Sequence, residues 1–364
     1  METKKIKVAF ADFTTTRNEM SFFIEALKNV CDVVECEDSP DILFYSCFGL
    51  KHLRVRGCTK VYVCQENVAP DFNECDYAIS CMPISFGERH LFMPPCYATY
   101  MNRPCCVLPQ INQDMARRKF CSFLYSQENR GNGSILRKKF CQMLMQYQHV
   151  DSPGAVLHNV DIPELKERNA DDWNVSKIQW LSGYKFNIAF ENSYSEGYVT
   201  EKLMDCFYAN TVPIYWGGIR SLPFPKEAMI CVNDFESFDD AIERIREVDQ
   251  NDEMYLSMLA ANPLRAGLRI EEAQEKLIAF LRNIVDKEFP VFEKDGLSFS
   301  DASRLRLLAL SGALIPGGIA FGIRHALHRY MGSWLRPNQH RKGSVADRQE
   351  RMFLSEMLNF SRGR

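Results

Sequence analysis

The sequence contains no segment that we expect to act as a signal sequence or as a membrane-spanning helix. No uninterrupted run of about 20 apolar residues occurs, the length that an α-helix needs to cross a bilayer. The first apolar stretch, residues 6–11, is too short and too soon followed by polar residues to be a signal sequence. We therefore expect a cytoplasmic protein whose thiols stay reduced.

The chain has little that would hold a metal ion, although it contains 14 cysteines. Cys58, Cys64, Cys75 and Cys81 lack the paired spacing of two to four residues that is typical of zinc sites. Cysteines inside apolar segments act as small hydrophobic residues. The sequence also has no Asp-x-Asp pair, the usual motif that holds a divalent cation on a nucleotide sugar. We expect no structural metal centre.

Net charge is low but unevenly distributed. The 364 residues carry a formal charge of −3, whereas residues 303–364 contain 11 Lys and Arg against 3 Asp and Glu. The rest of the chain is therefore acidic, with 33 basic against 44 acidic residues. Hydrophobic residues at 46% and charged residues at 25% are typical of soluble globular proteins. The length suffices for two domains.

Alternating strand and helix patterns predict two α/β domains. The first, residues 1–113, has apolar strand segments at 6–11, 41–46, 61–64 and 77–80 and a helix at 19–29. The second, residues 114–290, has predicted strands at 119–126, 185–191, 212–216 and 229–232 and predicted helices at 134–148, 198–208, 238–248 and 271–285. This order favours parallel sheets covered by helices. Residues 291–364 form a C-terminal tail with helical periodicity.

One strand–loop–helix segment looks suited to binding an anion. Apolar residues alternate with others over 185–190, and Glu191 and Asn192 follow at the predicted strand end. Ligands of open α/β sheets bind at the carboxyl ends of strands. The next helix is predicted to begin near Tyr198, and its free N–H groups would favour a negative charge. Lys202 adds a positive charge in its first turn, so the segment predicts a phosphate-binding corner.

The same segment resembles the central motif of the α-1,3-fucosyltransferases, glycosyltransferase family 10. The likeness runs through KFNIAFENS at 185–193, EGYVTEK at 196–202 and ANTVPIYWGG at 209–218. Upstream it includes CQEN at 64–67, DYAI at 76–79 and FCSFLYS at 120–126. The resemblance covers roughly residues 60–285. It implies the GT-B arrangement of two Rossmann-like domains that face a central cleft.

Five residues become candidates for holding the donor. Lys202 and Arg137 are cations that could neutralise a departing phosphate, although spacing alone favours a solvated helix face for Arg137. Glu201 could be only a favourable acid in a first helical turn, and Asn192 and Tyr198 could only brace the loop. The resemblance implies instead that Arg137 and Lys202 bind the diphosphate, that Glu201 accepts hydrogen bonds from donor hydroxyls, and that Asn192 and Tyr198 contact the donor.

Glu66 is the candidate base on the acceptor side. It follows the predicted strand 61–64, where a lone carboxylate is otherwise usually solvated. The resemblance implies that Glu66 removes the acceptor proton in an inverting transfer of L-fucose from GDP-β-L-fucose. The acceptor would be the 3-hydroxyl of N-acetylglucosamine in an N-acetyllactosamine-type oligosaccharide or glycolipid. No cofactor is expected, and a divalent metal would at most stimulate the reaction.

Two other functions are compatible with the same fold. The chain could use another nucleotide sugar, because only a few positions select guanine and fucose. It could also be a non-catalytic glycan-binding module, although intact Glu66, Arg137, Glu201 and Lys202 argue against this. Nucleic acid is not an expected partner, because the basic tail has neither helix-turn-helix nor zinc-finger spacing.

We predict that the tail binds anionic membrane reversibly, on the inner face of a bacterial membrane. The run 305–315 is apolar, and Arg324, His325, His328 and Arg329 recur three or four residues apart. Such a helix can bury an apolar side among headgroups while its cations contact anionic lipid. The alternative is that 305–315 packs on the enzyme body.

Vesicle sedimentation tests this prediction. The full chain should pellet with anionic vesicles at low salt and be released at high salt, whereas a chain truncated at Asp301 should stay in solution with its activity intact. A full chain that ignores the vesicles, or a truncated chain that unfolds, would favour packing on the body.

Overall fold

The protein divides into two units in the computed structural model, which describes residues 4–14, 20–101, 108–128, 131–165, 173–268 and 270–289. The first unit comprises residues 1–67 and 75–293, and the second comprises 68–74 and 294–364. In the second unit, Asp71 accepts hydrogen bonds from the main-chain N–H and side-chain amide of Asn73, both at 2.9 Å. The predicted tail, 291–364, lies outside the described residues. All features below belong to the first unit.

The first sheet has six parallel strands. In chain order they are β1 (Lys5–Ala11), β2 (Asp32–Glu35), β3 (Ile42–Tyr45), β4 (Thr59–Cys64), β5 (Tyr77–Ser80) and β6 (His90–Phe92). They lie side by side in the order β2-β1-β3-β4-β5-β6, and each neighbouring pair is parallel. Helices α1 (Ser21–Lys28) and α2 (Pro95–Tyr100) belong to this half. Strands β3 and β5 are buried along their length, as in sheets covered on both faces.

The second sheet has five parallel strands. They are β7 (Lys119–Ser122), β8 (Val150–Asp151), β9 (Tyr184–Phe190), β10 (Val212–Trp216) and β11 (Ile230–Cys231), in the order β11-β10-β9-β7-β8. The helices are α3 (Asn132–Leu144), α4 (Trp173–Leu181), α5 (Glu201–Tyr208), α6 (Phe238–Asp249), α7 (Asp252–Ala260) and α8 (Glu271–Val285). Strand β9 is central and buried at every position. Its polar residue Lys185 is satisfied by an ion pair with Asp249 at 2.7 Å.

In each sheet the strand order creates a crevice beyond the carboxyl ends of two neighbouring strands. In the first sheet the strand order reverses between β1 and β3, and in the second it reverses between β7 and β9. Loops that leave the two strands at such a point run to opposite sides, which opens a gap beyond their carboxyl ends. The fold therefore offers a ligand site beside the end of β9, where the phosphate-binding corner was predicted. The predicted α/β fold with two parallel sheets is confirmed.

The last described helix packs against the first half of the chain, although the prediction placed it in the second domain. Helix α8 packs against α1, and its residues Leu277 and Leu281 share a hydrophobic core with Phe23 and Leu27 of the first half. The prediction assigned residues up to 290 to the second domain. The amphipathic pattern of α8 indicates that one face is buried, but it does not indicate which sheet covers that face.

Element bounds follow the sequence pattern closely except near loops. Strands β5 and β10 and helix α8 have the predicted limits. Helix α5 begins three residues later than predicted, at Glu201, and the strand predicted over 119–126 ends at Ser122. Strands β2, β6 and β8 and helices α2, α4 and α7 were not predicted. The cysteines in the described ranges are free thiols, and most are buried. Within those ranges no helix is both long and apolar enough to cross a membrane.

Candidate active site

The loop of residues 192–199, here called the donor loop, leads from β9 to α5. Gly197 adopts a φ of +82°, and a Cβ atom there would lie 2.2 Å from the carbonyl oxygen of Cys81. Only glycine meets both conditions. Thr200 caps α5 by accepting a hydrogen bond from the N–H of Lys202. Tyr198 therefore lies in the loop. The prediction that it begins the helix was wrong.

The buried carboxylate of Glu191 fixes the start of α5. It has 0% exposure, and its carboxylate accepts hydrogen bonds from the N–H of Thr200 at 2.7 Å and from its hydroxyl at 2.8 Å. The ammonium of Lys202 lies 3.4 Å from the same carboxylate. Burial raises the pKa of Glu191 above its ordinary value, although Lys202 and Thr200 oppose this. The buried carboxylate thus holds both the cap and the cation in place.

Lys202 is bordered by two carboxylates. Its Nζ lies 2.9 Å from the Thr200 hydroxyl and 3.5 Å from Glu201 Oε1. Burial lowers the pKa of Lys202, but Glu201 and Glu191 more than reverse this effect, so its pKa is raised. Burial would raise the pKa of Glu201, but Lys202 and Lys177 outweigh it and lower that pKa to about 2. Both Lys202 and Glu201 are therefore charged at neutral pH.

Arg137 lies on α3 with its guanidinium buried. Nη1 donates to Asn192 Oδ1 at 2.8 Å, and Nη2 donates to the carbonyl of Gln127 at 2.7 Å. The guanidinium lies 3.9 Å from the centroid of the Tyr125 ring, a cation–π contact. Because Arg137 is 2% exposed, it does not belong to a solvated helix face. Since α3 begins at Asn132, Arg137 is in its second turn and not, as predicted, in its first.

Two glycines let α3 approach the end of β9. The N–H of Gly133 donates to the carbonyl of Asn192 at 3.0 Å. A Cβ atom on Gly133 would lie 2.0 Å from the carbonyl oxygen of Glu191, and one on Gly131 would lie 2.5 Å from that of Asn192. Any larger residue would push α3 away. These glycines bring Arg137 to the crevice between β7 and β9.

Glu66 reaches the same region from the first sheet. It follows β4 and is half-buried. The hydroxyl of Tyr198 lies 3.3 Å from Glu66 Oε2, to which it donates a hydrogen bond. The side-chain amide of Asn67 donates to the hydroxyl of Ser193 at 2.7 Å. The carboxyl end of β4 therefore contacts the donor loop directly.

The six predicted residues form three contacting pairs, which together are called the site network below. Its three links join Arg137 to Asn192, Tyr198 to Glu66, and Lys202 to Glu201. Cations such as Lys202 and Arg137 can neutralise a diphosphate, and a carboxylate such as Glu66 can accept a proton. The described ranges contain no group of three His, Cys, Asp or Glu side chains suited to a metal ion.

Sequence reasoning missed two parts of this network. Glu191 was placed at the strand end, but its pairing with Lys202 was not foreseen, because the sequence does not show that its side chain turns into the protein. Lys177 was missed entirely. It lies on the unpredicted helix α4, where it pairs with the buried Asp205, and its charge reaches Glu201. A weakly amphipathic pattern left that helix without a sequence signal.

The chain is similar to fucosyltransferases along most of its described length. Residues 8–100 match the model of the alpha-(1,3)-fucosyltransferase FucT N-terminal domain. Residues 115–271 match the model of the glycosyltransferase family 10 (fucosyltransferase) C-terminal region. The alpha-(1,3)-fucosyltransferase FucT of Helicobacter pylori is 30% identical over 290 residues, which are 68% of this chain and 58% of that protein.

Two further similarities concern a second type of fucosyltransferase and the fold. GDP-fucose protein O-fucosyltransferase 3 of Gallus gallus is 35% identical over 158 residues, 42% of this chain and 32% of that protein. A crystal structure of alpha1,3-fucosyltransferase with GDP-fucose superposes with a TM-score of 0.63 and 23% identity, over 81% of this chain and 94% of that one. The two curated relatives are thus spanned over about three fifths and one third of their own lengths, and the solved structure has the same fold.

Acid titration should reveal the charge on Glu201. Its pKa of about 2 lies below the ordinary 4.5, so its ionised form stabilises the folded state above about pH 4.5. That contribution is lost as the pH falls towards 2. We expect Glu201→Gln to unfold at lower urea concentration than the wild type at pH 6, and the difference to shrink by pH 3. Glu275→Gln, on the exposed side of α8, is the control. A difference that does not change with pH would contradict the assignment.

Proposed function

Because the chain belongs to glycosyltransferase family 10, we propose that it is an inverting, GDP-fucose-dependent α-1,3-fucosyltransferase. In this reaction L-fucose moves from GDP-β-L-fucose to the 3-hydroxyl of N-acetylglucosamine in N-acetyllactosamine-type glycans. The observation that carries the proposal is the 3.3 Å contact between Glu66 and Tyr198. Through it, a carboxylate at the end of β4 lies against the loop that leads to Lys202.

The cationic side of the network suits a nucleoside diphosphate. Lys202 lies in the first turn of α5, where the helix dipole also favours an anion. Arg137 approaches from α3 across the crevice beyond β7 and β9. A phosphate leaving group needs no protonation when cations neutralise its charge. In the proposal Arg137 and Lys202 bind the diphosphate, and no metal is required.

The neighbouring polar groups suit the rest of the donor. Glu201 is ionised and its side chain is 38% exposed, so it can accept hydrogen bonds from donor hydroxyls. Asn192 already accepts a hydrogen bond from Arg137 and is half-buried. We propose that Asn192 completes the donor site, with Tyr198 on the loop that borders it. Guanine and fucose selection would come from surrounding loops.

Glu66 is the proposed general base. It follows a strand of the first sheet, whereas the cations lie on helices of the second half. In the proposal the acceptor lies between them and meets the sugar from the side away from the leaving diphosphate. Attack from that side inverts the β-linked donor into an α-linked product. The acceptor would enter over the carboxyl ends of β3 and β4, next to the crevice at the strand reversal between β1 and β3.

A donor and acceptor panel tests the proposal. The full chain is incubated with GDP-fucose, GDP-mannose or UDP-N-acetylglucosamine, each with lactose, N-acetyllactosamine or a glycolipid, with and without EDTA. We expect fucose transfer to N-acetyllactosamine, an α-1,3 linkage in the product, and activity that survives EDTA. Transfer from another nucleotide sugar would overturn the donor assignment. Glycan binding without any affinity for GDP in calorimetry would indicate a binding module.

Removing either proposed phosphate-binding cation should damage catalysis. We expect Lys202→Ala and Arg137→Ala each to lose at least about 100-fold in kcat/KM, or about 3 kcal/mol of transition-state stabilisation. The matched controls are Lys226→Ala and Lys138→Ala, which remove surface cations paired with Asp234 and Glu128. Both controls should keep normal turnover. Near-normal turnover in either site variant, with circular dichroism showing a folded chain, would reject the donor-site assignment.

Replacing Glu66 by its amide should separate binding from chemistry. Glu66→Gln keeps the shape of the side chain and removes its basicity, so GDP affinity in calorimetry should stay unchanged while nearly all transfer is lost. Glu88→Gln changes a carboxylate that is 78% exposed and should remain active. If GDP affinity collapses instead and transfer survives at saturating donor, Glu66 is a donor ligand.

We further propose that the enzyme acts in the cytoplasm, at the inner face of a bacterial membrane. The support is the charge and periodicity of residues 303–364, because a basic amphipathic tail would bring the enzyme to anionic lipid. A glycolipid acceptor would be concentrated at the same surface.

A further inference from the structure

The contact between the donor loop and Glu66 is suited to orienting the carboxylate of Glu66. The main chain of Glu66 is already fixed, because its carbonyl accepts hydrogen bonds from the thiols of Cys64 at 3.6 Å and Cys81 at 3.5 Å. Its N–H donates to the Cys64 sulfur at 3.3 Å. The carboxylate, at the end of a flexible side chain, needs a separate contact to define its direction. Tyr198 provides one.

The donor loop is itself held firmly against the first half. The carbonyl of Val199 accepts a hydrogen bond from the N–H of Cys96 at 2.8 Å, and Gly197 packs against the carbonyl of Cys81. Asn67, next to Glu66 in the sequence, is joined to Ser193 at 2.7 Å. The loop cannot move without disturbing the segment that carries Glu66.

Tyr198 is suited to donating one permanent hydrogen bond. Its side chain is buried at 3% exposure, so it offers little surface for a donor substrate. Burial raises its pKa well above 10, and the carboxylates of Glu66 and Glu191 act in the same direction. The phenol therefore keeps its proton throughout any practical assay range, and its hydroxyl points that proton at Glu66 Oε2.

We propose that Tyr198 is a positioning residue for the general base, which orients the carboxylate of Glu66 towards the acceptor hydroxyl. The proposal rests on the proposed function, in which Glu66 takes the acceptor proton. It gives Tyr198 a task other than the donor contact that the family resemblance implies. It also means that the loop lining the donor site sets the geometry of proton removal.

The two roles for Tyr198 predict different kinetics. A phenol hydrogen bond favours the ionised carboxylate, so Tyr198→Phe should move the acid limb of the pH profile of kcat to higher pH. The variant should also lose about 10-fold or more in kcat, the usual scale for a hydrogen bond to a charged group. GDP affinity and KM for the donor should stay unchanged.

Tyr194→Phe is the matched control. Tyr194 lies on the same loop, and its hydroxyl also donates to a carboxylate, Glu196 Oε1, at 2.6 Å. Removing that hydroxyl should leave the pH profile unmoved. Ser193→Ala, which cuts the second link to the Glu66 segment, should lower kcat by less than Tyr198→Phe does and should also leave GDP affinity unchanged.

A titration that needs no turnover separates this proposal from the proposed function. Glutamate labelled with ¹³C at Cδ is incorporated into the full chain, and the Glu66 resonance is assigned by its loss in Glu66→Gln. Its titration midpoint should move to higher pH in Tyr198→Phe and stay in place in Tyr194→Phe. This result would support the positioning contact even if the wild type transferred no fucose.

Three results would overturn the proposal. One is a Glu66 midpoint that does not move in Tyr198→Phe. Another is a loss of GDP affinity with an unmoved acid limb, which would make Tyr198 a donor ligand. The third is a Tyr194→Phe variant that shifts the midpoint as much as Tyr198→Phe does, because the effect would then be a general loosening of the loop.

Discussion

The arrangement of the site depends on the buried carboxylate of Glu191. A charged group with 0% exposure loses its hydration and is stable only when other groups replace the lost water. Thr200 and Lys202 do so with hydrogen bonds and charge. Removing one partner of such a pair typically costs about 3–5 kcal/mol, because the other charge stays buried. The end of β9, the start of α5 and the ammonium of Lys202 are therefore fixed together.

Close main-chain packing joins the end of β9 and the start of α5 to both halves of the first unit. Gly133 brings α3 against the carbonyl of Glu191, and Gly197 brings the donor loop against that of Cys81. Neither approach leaves room for a Cβ atom. The return of α8 to the core around Phe23 ties the end of the described chain to the first sheet. As a result, close main-chain contacts hold Lys202 and Arg137, from the second half, and Glu66, from the first half, in fixed positions.

The sequence predicted the strands and the candidate residues better than it predicted their surroundings. Strands β5 and β10 were predicted to the residue because they are short, mostly apolar runs, and helix α8 because its apolar period is regular. Tyr198 was placed in a helix because propensity alone does not register that Gly197 has a positive φ. The pairing of Glu191 with Lys202 and the influence of Lys177 depend on the direction of side chains and on an unpredicted helix. Such information exists only once the sheets have formed.

The existing partners of Lys202 and Arg137 affect how strongly these cations would attract a diphosphate. Lys202 is already surrounded by Glu191 and Glu201, and Arg137 is already held by Asn192 and stacked on Tyr125. Pairing weakens the net attraction of these cations for a diphosphate that arrives from solution. In return, the cations need little rearrangement as charge grows on a departing phosphate, and preorganised groups of this kind stabilise a transition state more than mobile ones. The network therefore favours precise placement of charge over strong long-range attraction, which agrees with the proposal that a neutral tyrosine positions a carboxylate base.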